Sequence, residues 1–286
     1  MELFLDLLRS VVYGVIEGIT EWLPISSTGH MILAEQVLKF SLSAEFMEMF
    51  RVVIQLGAIM AVVVLYFKKL WPFCGDNGCD SGLAKHIRWP VLRLWLKIIV
   101  ACLPAAVLGL LLDDWMDAHF YNSVVVAVML IVYGIAFILI ERRPRVPATT
   151  KLSRITYKQA IIVGAWQVLA LIPGTSRSGA TIIGGLLCGM SRACASQFTF
   201  FLAIPVMAGA SGLKLVKFLV GGGVFTVAEI GALLVGCIVA FVVSIMAIRF
   251  LMDYVKKHTF TIFGWYRMAL GILVLGIWAL QSFVLA

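Results

Sequence analysis

Runs of apolar residues long enough to cross a bilayer occur at roughly 50–67, 93–112, 121–140, 197–218, 227–251 and 262–283. The hydrocarbon core is about 30 Å thick and a helix rises about 1.5 Å per residue, so about 20 apolar residues make a span. Each run predicts one transmembrane helix. Two further regions, 3–40 and 159–195, are apolar on average but broken in the middle by Pro, Gly, Ser, Thr and charged residues. They are too interrupted for simple spans and too apolar for loops. Each predicts a helix that enters the membrane, breaks and returns. The expected architecture is an all-α polytopic membrane protein with six spans and two re-entrant helical hairpins.

Composition agrees and narrows the class. Apolar and aromatic residues are 62% of the 286 residues, charged residues only 13%, and the mean hydropathy is +1.03. A soluble domain carries about 25% charged residues, so this chain has too few to coat a soluble surface. Soluble enzymes, nucleic-acid binders and secreted disulfide scaffolds are thereby excluded. The net charge of +8 lies mostly in connections, where it sets topology and does not call for a nucleic-acid partner. The connections 68–92 and 141–158 and the end of the fifth span are basic. The one near 113–119 is acidic (Asp113, Asp114, Asp117), and 219–226 is uncharged. By the positive-inside rule the basic connections are cytoplasmic, so both termini are expected on the outer side. No cleavable leader is expected, since Glu2 and Asp6 stand where a basic n-region would. Cys74 and Cys79 share a connection read as cytoplasmic, where a stable disulfide is not expected; an oxidised pair would argue against that orientation. Gly231, Gly236 and Ala240 in the fifth span suit a packing face, within the chain or between protomers.

The two broken regions match each other at a fixed offset. Gly164 lies 150 residues after Gly14, and the same offset pairs Glu17 with Gln167, Ser26 with Ser176, Thr28 with Ser178, Gly29 with Gly179, Phe50 with Phe200 and Ala58 with Ala208. Each unit, 1–140 and 141–286, reads as a broken hairpin followed by three spans. Three is odd, so the second copy sits upside down. That is an inverted repeat, in which interrupted segments meet near the bilayer midplane. Irregular backbone at that depth is tolerated only when buried in protein or lining a wet cavity, so the cavity between the breaks is the expected site.

The first break reads Glu17-Gly18-Ile19-Thr20-Glu21-Trp22-Leu23-Pro24-Ile25-Ser26-Ser27-Thr28-Gly29-His30. Glu17 and Glu21, four apart, share a helix face. Two such carboxylates need a cation or proton between them, and hard oxygen ligands suit Mg²⁺ or Ca²⁺; the plainer reading is a solvated pair at the interface. Pro24 is expected to end the helix. Ser26, Ser27 and Thr28 open the returning helix, either as ordinary N-caps or as nucleophile and phosphate contacts. His30, three residues after Ser27, is within reach as its acid or base partner, or is a buried histidine bonded to a backbone carbonyl. The second break reads Pro173-Gly174-Thr175-Ser176-Arg177-Ser178-Gly179-Ala180-Thr181. Its glycines and hydroxyls predict a nest of N–H donors for an anion, with Gly174, Thr175, Ser176, Ser178 and Thr181 as candidate contacts. Arg177 suits phosphate oxygens, or forms an ion pair with Glu17 or Glu21. Gln167 and Leu171 stand where the first copy has its two carboxylates. Cation, nucleophile and arginine clamp together describe phosphoryl transfer, and a site inside a membrane implies a lipid phosphate.

These two motifs, Glu17 to His30 and Pro173 to Thr181, closely resemble those of the bacitracin-resistance type undecaprenyl-diphosphate phosphatases, over essentially the whole chain. The resemblance implies hydrolysis of undecaprenyl diphosphate to the monophosphate and inorganic phosphate. That recycles the lipid carrier for peptidoglycan synthesis and confers bacitracin resistance. It implies Glu17, Glu21, Ser27, His30 and Arg177 as the active-site set, and a divalent cation held by Glu17 and Glu21. It also implies a bacterial inner-membrane location with the site reached from the periplasmic side, and a homodimer. Membrane lipid phosphatases of the acid-phosphatase superfamily use two histidines and a Lys…Arg-Pro motif, which this chain lacks. The rival class is transport: inverted repeats with broken helices frame many carriers, so the same site would flip a polyprenyl phosphate.

Overall fold

A computed structural model describes residues 2–38, 40–74, 86–120, 122–143 and 146–284. Among these the regular elements are helices, with only two isolated β-bridges, Phe73 to Ile87 and Thr149 to Met190. The first broken pair is α1 (Glu2–Thr20) and α2 (Ser27–Val37). The first span is kinked at Ile54 into α3 (Ala44–Val53) and α4 (Gln55–Leu65), and α5 (Phe67–Leu70) is a single turn. Then follow α6 (Trp89–Phe120) and α7 (Ser123–Glu141). The second broken pair is α8 (Tyr157–Val168) and α9 (Arg177–Leu187), and α10 (Arg192–Val220), α11 (Val227–Lys257) and α12 (Thr261–Val284) complete the chain. Six helical stretches, Ala44–Leu65, Trp89–Leu112, Ser123–Glu141, Arg192–Val220, Val227–Lys257 and Thr261–Ser282, are long and apolar enough to cross a membrane.

Several boundaries differ from the sequence expectation. The helix before Pro24 ends at Thr20, but the Glu21 amide still bonds the Glu17 carbonyl at 3.1 Å, so the i, i+4 relation of the two carboxylates survives. The acidic 113–119 segment is not a connection. It continues α6, which runs 32 residues and carries His119 in its last turn. A helix of that length reaches about 48 Å, well beyond the hydrocarbon layer, so aspartates in its last turns do not have to end it. The side chains of Asp113, Asp114 and Asp117 lie outside the described residues. Cys74 is disulfide-bonded, which corrects the expectation of reduced thiols in 68–92; Cys79 lies outside the described residues.

Packing follows the 150-residue offset. The first helix of each broken pair lies against a span of the other unit: α1 on α11, and α8 on α6. Helices α7 and α12 pack on each other. Between lipid-facing helices there is little hydrophobic drive, so close approach of small residues does the work. A Cβ placed on Gly57 would lie 2.1 Å from the Cys237 carbonyl oxygen, and one on Gly164 2.2 Å from that of Ala101. Gly134 and Gly264 abut across the α7–α12 seam, where each Cβ would meet the other's carbonyl at 2.7 Å. The small-residue face of α11 is used inside the chain. Gly236 and Ala240 present their carbonyls to Gly14 and Gly18 of α1. Above the seam, Trp22 is fully buried edge-on against Phe200 with centroids 5.3 Å apart, fixing the first break against α10.

Gly164→Ala is expected to push α8 off α6 and cost about 1–3 kcal/mol, as overpacking does. Thermal unfolding of the purified protein in detergent measures this; an unchanged midpoint would refute the close approach.

Candidate functional site

The two breaks share one backbone device. Ser26 (φ 73°) and Ser176 (φ 69°) are the only non-glycine residues with positive φ among the described residues, and each immediately precedes its returning helix. Such a conformation costs roughly 1–3 kcal/mol and persists only where neighbours over-determine it. The two serines differ in what their hydroxyls do. Ser176 Oγ accepts from the Gly179 amide at 3.2 Å and lies 3.1 Å from Ser178 Oγ, so Ser176, read from the sequence as a phosphate contact, caps α9. Ser26 makes no side-chain cap, and its buried Oγ has no partner. Gly174 (φ +90°) comes so close to α7 that a Cβ there would meet the Val126 carbonyl oxygen at 2.5 Å.

Glu21 joins the two breaks. Its Oε1 accepts from Arg177 Nη2 at 2.9 Å and Nε at 3.2 Å, and its Oε2 accepts from Ser27 Oγ at 3.2 Å. The side chains of Arg177 and Glu21 are 11% and 8% exposed, so the pair is buried. Arg177 also donates Nη1 to the Thr199 carbonyl at 3.1 Å. Of the five N–H donors on a guanidinium, two remain for another acceptor. Of the two readings of Arg177, the ion pair is the one present here, and it does not exhaust the arginine. Ser178 Oγ donates to the Leu23 carbonyl at 3.4 Å, a second tie between the breaks.

His30 has partners other than the expected Ser27. Its Nδ1 lies 2.7 Å from the Ser26 carbonyl and its Nε2 lies 2.8 Å from Tyr266 Oη, with the two rings stacked 5.6 Å apart. A carbonyl only accepts, so Nδ1 carries the proton, and in a neutral ring Nε2 accepts from the tyrosine hydroxyl. The spacing of three placed His30 on the right helix, but the ring folds back over the preceding turn. Thr181 Oγ1 donates to the Arg177 carbonyl at 2.8 Å and accepts from Thr199 Oγ1 at 2.9 Å, so it braces the arginine's backbone. Thr28 is half-buried at the start of α2, and Thr175 is buried with its Oγ1 unpartnered.

Glu17 is 1% exposed and its Oε1 has no partner. A buried carboxylate oxygen left bare is costly, and a proton or a hard cation would satisfy it. No group of three or more His, Cys, Asp or Glu fit to hold a metal exists among the described residues. Both Glu21 oxygens are already bonded. Residues here therefore fit a divalent cation only if phosphate oxygens and water fill most of its shell, which is how Mg²⁺ is commonly bound.

Three residues of this cluster escaped the sequence reading: Thr199, Tyr266 and Arg267. Arg267 on α12 is fully buried and donates to carbonyls of both breaks: Pro24 at 3.2 Å, Gly174 at 2.8 Å and Thr175 at 2.9 Å. A single cation inside the apolar run 262–283 is the signal that marks it, by the same logic that marks Arg177.

Comparison with known proteins gives a consistent result. Residues 10–273 match the family described as "Bacitracin resistance protein BacA". A protein of Enterococcus faecalis named undecaprenyl-diphosphatase is 60% identical over 278 residues, covering 96% of this chain and 99% of that one. One of Lactococcus lactis with the same name is 56% identical over 275 residues, covering 95% and 96%.

Removing one partner of a buried pair strands the other charge, at about 3–5 kcal/mol. Glu21→Gln and Arg177→Met are each expected to destabilise the protein on that scale, while the double variant costs much less than their sum. Thermal unfolding of the four proteins gives the coupling; additive losses would mean that the pair does not form.

Proposed function

The chain belongs to the bacitracin resistance protein BacA family, and from that premise we infer that it dephosphorylates undecaprenyl diphosphate. The products are undecaprenyl phosphate and inorganic phosphate. Release of the monophosphate returns the carrier lipid to envelope synthesis and removes the diphosphate form that bacitracin sequesters.

One observation carries the mechanistic reading: the Glu21 carboxylate is bonded at once to the Ser27 hydroxyl and the Arg177 guanidinium. Ser27 Oγ attacks the terminal phosphorus, and its proton passes to Glu21 Oε2. The anhydride P–O bond breaks and undecaprenyl phosphate leaves. Water then hydrolyses the phosphoserine, releasing inorganic phosphate and restoring the hydroxyl. The two remaining Arg177 donors, the free Ser26 and Thr175 hydroxyls and the N–H groups of the second turn hold the equatorial oxygens as charge develops. Ser178 and Gly174 shape that turn, Thr28 lines its counterpart, and Thr181 holds Arg177 in place. His30, its tautomer set by the Ser26 carbonyl and Tyr266, serves proton transfer to the leaving oxygen or from water. Glu17, with Glu21 beside it, would hold Mg²⁺ or Ca²⁺; neutralising diphosphate charge is the chemistry such an ion supplies.

The two broken pairs are read as re-entrant hairpins entering from opposite faces, in an inverted repeat of units 1–140 and 141–286. The site opens to the outer side of the bacterial cytoplasmic membrane. The basic connections support that orientation, while a disulfide at Cys74 points the other way. With the small-residue face of α11 taken up by α1, a homodimer would use another surface.

Purified protein in detergent, where no second leaflet exists, is expected to release phosphate from undecaprenyl diphosphate, and a chelator is expected to suppress it. Binding without release would favour a lipid carrier instead. Ser27→Ala should abolish turnover without unfolding; substantial residual activity would move the attack to water or His30. Arg177→Ala should lose more than about tenfold in rate, since a charge-assisted contact contributes about 1.5–3 kcal/mol. Val224→Cys, an 81% exposed site, should react with an impermeant maleimide on intact cells, and Val146→Cys, 96% exposed, only after permeabilisation. The reverse pattern would invert the topology.

A further inference from the structure

Arg267 is the least explained charge in the molecule. It is fully buried in α12, and no carboxylate pairs with it among the described residues. Its partners are carbonyl oxygens from three places. Nη1 reaches Pro24, Nη2 reaches Gly174 and Thr175, and longer bonds run to Met129 (3.5 Å) and Leu130 (3.4 Å) of α7. The guanidinium also lies over the Tyr133 ring, 5.4 Å from its centroid. Room for it is built in: a Cβ on Gly179 would come 3.1 Å from Nη1. A buried cation is costly, and one bonded only to main-chain oxygens stabilises whatever those oxygens belong to. Here the three shortest belong to the two breaks, near the strained Ser26 and Ser176, and the two longer ones to α7.

The direction of these bonds matters. In a trans peptide, a carbonyl drawn to one side turns the following N–H to the other. Drawing the Thr175 carbonyl toward α12 therefore turns the Ser176 amide away from Arg267. Among the described residues that amide makes no backbone bond, while the neighbouring Thr175 amide bonds the Ile172 carbonyl.

We propose that Arg267 is a positioning residue: it clasps Pro24 of one break and Gly174 and Thr175 of the other, and so keeps Ser27 and Arg177 in register across the phosphate site. It bonds no substrate atom. This rests on the phosphatase reading of that site. Arg267→Met removes the clasp, and Arg267→Lys keeps the charge while losing the fork that spans two turns. Misplacing reacting groups by about 1 Å can cost on the order of a hundredfold. Arg267→Met is expected to lose kcat on that scale with KM held within about threefold, and Arg267→Lys to fall between it and the parent.

Undiminished kcat in either folded variant overturns the proposal. So does a change confined to KM, which would make Arg267 a substrate contact. Hydrogen exchange of the unaltered protein needs no variant and decides the matter if neither folds. Peptides covering 22–28 and 172–178 must exchange more slowly than the exposed connection 146–151; exchange as fast as that connection overturns the clasp. Should the unaltered protein release no phosphate, the phosphatase reading fails, and the exchange result alone judges the clasp.

Discussion

A buried peptide chain that stops being helical must find partners for its N–H groups and carbonyls within the protein, because apolar surroundings supply none. The two breaks of this chain meet that demand by facing each other. Ser178 bonds the Leu23 carbonyl, Glu21 bonds Arg177, and Arg267 gathers carbonyls from both turns. The first break draws part of its bonding from the far half of the chain, through Ser178 and Arg267. The same interlock brings a hydroxyl, a carboxylate and a guanidinium within bonding distance of one another, so backbone satisfaction and the chemistry of the site are two aspects of one arrangement.

The two breaks differ in chemistry more than in geometry. Ser26 and Ser176 adopt nearly the same strained conformation, and α2 and α9 begin 150 residues apart, at Ser27 and Arg177. What differs is the load each turn bears. One carries the hydroxyl and carboxylates, the other the arginine and the amides. Gln167 stands 150 residues after Glu17 and is likewise buried, with its amide atoms unpartnered.

The spans were legible because a long apolar run has one stable fate in lipid, and Glu17, Glu21 and Arg177 because charge is scarce there. Arg267 carries the same signature, but the averaged hydropathy of its run conceals one cation among more than twenty residues. The partners of His30 were not legible. Sequence spacing relates residues on one helix, whereas Tyr266 arrives from α12, and nothing local says that α12 lies beside α2. Thr199 was hidden for the same reason. The end of α6 misled because aspartates were read as a loop, although a helix leaving the hydrocarbon layer has no reason to stop at its edge.

The exchange of partners between units has a bearing on biogenesis. Helix α1 emerges first from the ribosome, yet the helix it packs against, α11, begins only at Val227. Until then the glycine-lined face of α1 has no seat, and the first break still lacks Arg267. The half-made chain already holds both Glu21 and Arg177, but not the cation that bonds the carbonyls of both breaks. Assembly of the two breaks is therefore a late event, completed only when α12 brings Arg267 to Pro24, Gly174 and Thr175.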